Sequence, residues 1–256
     1  MFQQPSSTPY DLYFQFAGTP VRVQPMFWLS ALLLGSRGSA QQLLVFVAVM
    51  FVSVLVHELG HAVAIRYFGW EPSITLHGFG GVATYHAGLR GGNRRTQLGL
   101  SPWGQIVIAA AGPLAGIGLA GCVILGLLAA NRSFPLNLSF FSPQAVFMVG
   151  RGPLLEFANQ AVLWDVINDM LFMNIFWSLI NLLPILPLDG GHIAQNLLVA
   201  SRGMDGHRQA YWLSGLTGAL FAILSMSKQE HMMAVFFALL AYRSFQAAQQ
   251  RNFEPW

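Results

Sequence analysis

The chain has 256 residues, of which 54% are hydrophobic and only 9% charged, with a net charge of +3. A soluble domain carries about 25% charged residues, so this chain has too few to cover a water-facing surface. A soluble enzyme, a disordered tail and a coiled coil are excluded, and the class is an integral membrane protein.

Mean hydropathy is +0.52, in keeping with that class. Cys122 is the single cysteine, which excludes an intramolecular disulfide framework and a cysteine-based zinc site. The pI of about 9.4 would suggest nucleic acid in a soluble protein. Here the basic residues are scattered between apolar runs, so they read as topology signals and no nucleic-acid partner is expected. Residues 1–24 read as an N-terminal cytoplasmic segment. Met1 to Pro20 is polar, without a basic stretch leading into an apolar run, so no cleaved signal peptide is expected.

A membrane crossing needs about 20 apolar residues. Pro25 to Gly35 is apolar but short, a tilted first span or a re-entrant piece. Gln41 to Ile65 satisfies the length, interrupted by His57, Glu58 and His61. Residues 71–88 follow, where Ile74, Leu76, Val82 and Thr84 flank the turn Gly78-Phe79-Gly80-Gly81 and predict a β-hairpin at the membrane face. Gln105 to Ala130 is a Gly- and Ala-rich span, suited to close helix packing. Asn131 to Gln160 is the longest polar connection. Val162 to Leu188 is the next span and ends in Pro184 and Pro187. Ala210 to Met226 and His231 to Ala248 complete the set, before a tail at 249–256. The expected fold is therefore an all-α polytopic membrane protein of about six transmembrane helices, occupying residues 25–248, with a small membrane-associated β-hairpin.

With the N-terminus inside and six spans, nine of the thirteen basic residues fall on the cytoplasmic side. These are Arg22, Arg66, Arg90, Arg94, Arg95, Arg202, Arg208, Arg243 and Arg251. Arg37, Arg132, Arg151 and Lys228 fall outside. The bias places both termini in the cytoplasm, and the plasma membrane is the expected location.

The sharpest chemical signal is His57-Glu58-Leu59-Gly60-His61. On a helix, positions i and i+4 share a face, so both imidazoles reach one metal ion. Glu58 lies about 100° round the helix, poor as a ligand but able to serve as general base toward water at the metal. The same pattern occurs by chance in soluble helices. In an apolar span, however, two histidines and a glutamate without a neighbouring Lys or Arg cost several kcal/mol unless something uses them.

A third ligand is required. The candidate acids are Glu156, Asp165, Asp169 and Asp189. The second and fourth spans run in the same direction, which returns Asp189 to the level of His57 and His61, near the cytoplasmic face. Asp165 and Asp169 sit at the opposite end. Asp189 is the expected ligand, with His192, three residues on, as the minor rival. Pro184 and Pro187 break the helix and Gly190-Gly191 permit a tight turn. Broken backbone at membrane depth belongs where it is buried in protein or lines a wet cavity. His77 and His86, flanking the hairpin turn, read as surface histidines rather than ligands.

HELGH on one span and NLLPILPLDGG on a later one resemble the site-2 protease family of intramembrane zinc metalloproteases. The resemblance runs from about Val21 to Leu198 and takes in GFGGVA at 78–83 and AAGPLAG at 110–116. It implies that His57, His61 and Asp189 bind one Zn2+ and that Glu58 is the catalytic base. Asn181 would lie beside the site, helping to hold the substrate strand or the oxyanion. Gly80 and Gly81 would border the substrate, which adds to an edge of the hairpin. The substrate would be a transmembrane segment of another protein, and the alternative is a metal-binding or metal-transporting membrane protein without protease activity. The family often carries Gly-Pro-x-x-Asn where this chain has Gly112-Pro113 followed by Gly116, so a polar role at that position is missing. No PDZ or CBS domain fits the polar segments, which makes a minimal, core-only member the expectation. Oligomeric state is not legible.

Overall fold

The structure, a computed structural model, describes residues 6–35, 39–78, 80–86, 96, 98–99, 101–129 and 161–249. The connection expected at 131–160 with Glu156, the arginines at 90–95 and nearly all of the 249–256 tail lie outside these residues. The chain groups into two compact units, residues 1–96 with 111–179, and residues 97–110 with 180–256.

The first unit opens with a β-hairpin, β1 (Leu12–Phe16) and β2 (Thr19–Val23). Its two-residue turn, Ala17 and Gly18, has positive φ at both positions, the backbone hand that matches strand twist. Arg66 clasps this turn, donating to the Ala17 carbonyl and to Thr19 Oγ1, each at 2.7 Å. The apolar helix α1 (Pro25–Gly35) leads to α2 (Ala40–Tyr67). Ser39 caps α2 in a reciprocal box with Gln42, satisfying two amides the helix itself cannot. At 28 residues and about 1.5 Å each, α2 exceeds the hydrocarbon thickness of about 30 Å.

β3 (Glu71–His77) and β4 (Gly80–His86) form the hairpin expected at 71–88, with His77 opposite Gly80. The sheet, however, has four strands in the order β1-β2-β3-β4, with β2 and β3 parallel and the other pairs antiparallel. The all-α expectation with one hairpin is thus corrected: residues 12–23 join the sheet. Pro20 pairs only with Gln15 of β1, outside the Val21–Val23 ladder to β3, so its missing N–H costs no sheet bond. Val21, Val23, Ile74 and Leu76 pack with Phe27, Val54 and Met173 in the core of this unit.

α3 (Pro102–Ala129) is the second long apolar helix. α4 (Ala161–Leu171) passes into a π-helical turn, Phe172–Phe176, and then α5 (Trp177–Asn181). The expected 162–188 span therefore stops at Asn181. Leu182 to Leu188 is irregular, and Asp189 opens a new helix, α6 (Asp189–Arg202), rather than closing the old one.

The second unit also contains α7 (Asp205–Ser227) and α8 (His231–Gln249). Ser214 meets Ser244, Gly218 lies against Ala241, and the Phe221 and Phe237 rings stand 5.4 Å apart. That register makes α7 and α8 an antiparallel pair joined through small residues, the packing expected in lipid. Among the described residues α2, α3 and α7 are long and apolar enough to cross a membrane, and α1 is a shorter apolar helix. The count of six is not reached on length and apolarity alone.

Candidate metal centre

His57, Glu58 and His61 lie in the C-terminal half of α2 and are 4–7% exposed. One helical turn separates the two imidazoles, and their Nε2 atoms stand 3.2 Å apart with the rings nearly perpendicular. Two nitrogens bound to one tetrahedral zinc at about 2.0–2.1 Å would be about 3.3 Å apart, so the spacing fits the ion. Two buried imidazoles held this close without a shared ion or proton would leave ring nitrogens facing each other.

Glycines let the backbone approach these side chains. A Cβ at Gly112 of α3 would run into His61 Nε2 and stand 2.8 Å from His57 Nε2. A Cβ at Gly60 would collide with the Ala111 carbonyl, so α2 and α3 cross in direct backbone contact. On the other side, a Cβ at Gly81 of β4 would meet the Glu58 side chain, with Cδ at 2.6 Å. The glutamate is thus wedged between its own helix and the outermost strand of the sheet. Gly80, buried at the start of β4, holds φ +126°, which a larger residue would adopt only under strain.

His57 and His61 belong to the first unit, and Asp189, the first residue of α6, to the second. The donor set of two imidazoles and a carboxylate is the kind that leaves a fourth zinc position open. Asn181 is half-buried at the end of α5.

The segment before Asp189 is folded tightly back on α6. A Cβ at Gly190 would strike the Leu182 carbonyl, and one at Gly191 the backbone of Ile185 and Leu186. Both glycines at 190–191 are therefore required by close approach, and the Leu186–Pro187 peptide is cis.

Two sequence readings change. His77 is buried rather than at the surface, and burial, followed by the nearby Arg22 charge, pushes its imidazole below the usual 6.5. The His86 side chain lies outside the described residues. Gly116 also acquires a reason: a Cβ there would run into Ser178 Oγ, with Asn174 Oδ1 3.7 Å away. A larger residue at 116 would have to displace the Ser178 hydroxyl. Sequence reading missed Asn174, which is 2% exposed on the π-helical turn and donates from Nδ2 to Ser53 Oγ and to the Met170 carbonyl, both at 2.8 Å. Its only sequence signal was an amide inside an apolar run.

A paired-histidine helix with a buried glutamate, set among membrane-crossing helices, defines a membrane-embedded metal-centre protein. The profile of peptidase family M50 matches residues 45–225, and the chain belongs to that family. A Synechocystis sp. protein named as a candidate zinc metalloprotease is 30% identical over 190 residues, 69% of this chain and 40% of that protein. The chain thus spans about two fifths of the length of that curated relative. The site-2 protease from Methanocaldococcus jannaschii superposes with a TM-score of 0.54 at 19% identity, covering 96% of this chain and 98% of that one. The fold is therefore that of a site-2 protease. Family and donor set together specify Zn2+ as the cofactor.

Proposed function

We propose that the protein is a zinc-dependent intramembrane endopeptidase that hydrolyses peptide bonds in or near transmembrane segments of other membrane proteins. The observation that carries this reading is Glu58, buried one residue from a zinc-spaced histidine pair and pressed against Gly81 of an outermost strand. His57, His61 and Asp189 hold one Zn2+ per chain. Bound there, zinc supplies Lewis-acid chemistry, polarising a carbonyl and acidifying water.

The substrate helix unwinds locally, because a helical backbone keeps its carbonyls in its own ladder. The freed strand adds to β4 by β-augmentation, so that Gly80 and Gly81 run beside it and its scissile carbonyl faces Glu58. Glu58 takes the proton from the attacking water and later delivers it to the leaving amine. The Asn181 amide holds the substrate strand or the oxyanion. Six crossings, with α1, the α4–α5 segment and α8 joining the three long helices, would put the site near the cytoplasmic face of the plasma membrane. The positive-inside bias supports that orientation.

The test is Glu58→Gln in detergent-purified protein, with a dye-labelled single-span peptide carrying a helix break as probe. Cleavage should fall to background while zinc stays at one per chain. Cleavage at the wild-type rate refutes the mechanism. The transporter alternative predicts metal flux in vesicles, and the family does not favour it.

A further inference from the structure

The irregular stretch before Asp189 leaves one amide to another element. Leu183 N–H bonds to the Ile180 carbonyl, Ile185 N–H to Leu183, and Leu188 N–H to Ile185. Pro184 and Pro187 have no N–H. The remaining amide, Leu186, donates to Ser214 Oγ on α7 at 2.8 Å. Ser214 in turn shares a 2.7 Å hydroxyl bond with Ser244 on α8. Ser214 and Ser244 are 0% and 3% exposed, so water cannot replace either partner. Neither helix carries His57, His61 or Asp189.

We propose that Ser214 and Ser244 are positioning residues, a hydroxyl relay through which α7 and α8 fix the Asp189 carboxylate and thereby set zinc affinity. The inference rests on the reading of Asp189 as a ligand. Leu186 lies three residues before Asp189, and the Pro187 ring between them fixes one backbone angle. Gly190 and Gly191 hold the first turn of α6 against the carbonyls of Leu182 and Ile185, so a shift at Leu186 is passed on to Asp189. Gly215 and Gly218 beside the relay bring α7 and α8 close enough for the two hydroxyls to meet. Serine pairs between membrane helices commonly serve as packing glue. That role alone needs no third partner in the strand of chain that carries the acid.

The experiment uses the full chain in detergent. Zinc affinity is read by competition with a chelator, and thermal unfolding of the zinc-free protein is followed in parallel. Ser214→Ala strands the Leu186 amide and should weaken zinc about 10–100-fold, as outer partners of metal ligands do. Ser244→Ala, one bond further out, should weaken it about 2–10-fold, and it carries the test if Ser214→Ala does not fold. Gly218→Ala presses on Ala241 at 3.1 Å and perturbs the same helix pair without touching the relay. It should lower stability and leave zinc affinity unchanged. Wild-type affinity in both serine variants, or an equal loss in Gly218→Ala, overturns the proposal. Zinc binding indifferent to Asp189→Ala overturns the ligand reading and the relay with it. Binding that needs Asp189 but ignores the serines overturns the relay alone.

Discussion

Gly112→Ala is a small substitution with a large expected effect. Its Cβ would stand 2.8 Å from His57 Nε2, with His61 Cε1 at 2.5 Å and His61 Nε2 nearer still. Ordinary non-bonded contact begins at about 3.5 Å. The imidazoles must therefore retreat by about 0.7 Å or more, whereas a zinc–ligand distance tolerates only about 0.2 Å. Both histidines cannot keep their nitrogens on the ion. Zinc affinity should fall about 100-fold, with the zinc-free protein losing about 1–3 kcal/mol from overpacking. A chelator competition titration of purified wild type and variant reads the first quantity, and denaturation of the zinc-free forms reads the second. Full zinc occupancy at wild-type affinity in Gly112→Ala would refute the argument that α3 backs directly on the ligand pair.

Two other predictions concern the sheet. In Gly81→Ala the three atoms nearest the new Cβ all belong to Glu58, so cleavage should drop about 100-fold, the cost of a misplacement near 1 Å, while zinc content stays at wild type. Equal cleavage in wild type and Gly81→Ala would remove β4 from the substrate path. His77 governs part of the acid stability. Its folded-state imidazole lies below 6.5 because it is buried, so below pH 6.5 the unfolded chain takes up a proton that the folded chain refuses. Stability should be flat above that pH and fall as pH drops from 6.5 through the folded value. In His77→Asn the slope over that window should shrink. An unchanged slope by denaturation of the zinc-free proteins at several pH values would contradict it.

The pairing of His57 with His61 was legible because helical spacing alone puts residues four apart on one face, and an apolar span makes their cost visible. Asp189 was singled out by the direction expected of the spans and by the Pro-Gly punctuation around it. The structure makes it the first residue of a new helix, since Pro184 and Pro187 stop the ladder before it. The 71–86 hairpin had its glycine turn. The 12–23 hairpin did not announce itself: Ala17-Gly18 is a weak turn signal, Pro20 argues against a strand, and β1 alternates no polar face. The π-helical turn at 172–176 has no local signature, because an i→i+5 bond uses the same residues as an α-helix. The burial of Asn174 and the pairing of Ser214 with Ser244 depend on tertiary register, which periodicity does not encode.

The central claim is that His57, His61 and Asp189 hold one zinc beside Glu58. Elemental analysis of detergent-purified wild type and Asp189→Ala tests it most directly. The account predicts about one zinc per chain in the wild type and little or none in the variant. Full zinc occupancy without Asp189 would move the third ligand elsewhere, and a wild type that binds no metal would contradict the enzyme reading altogether.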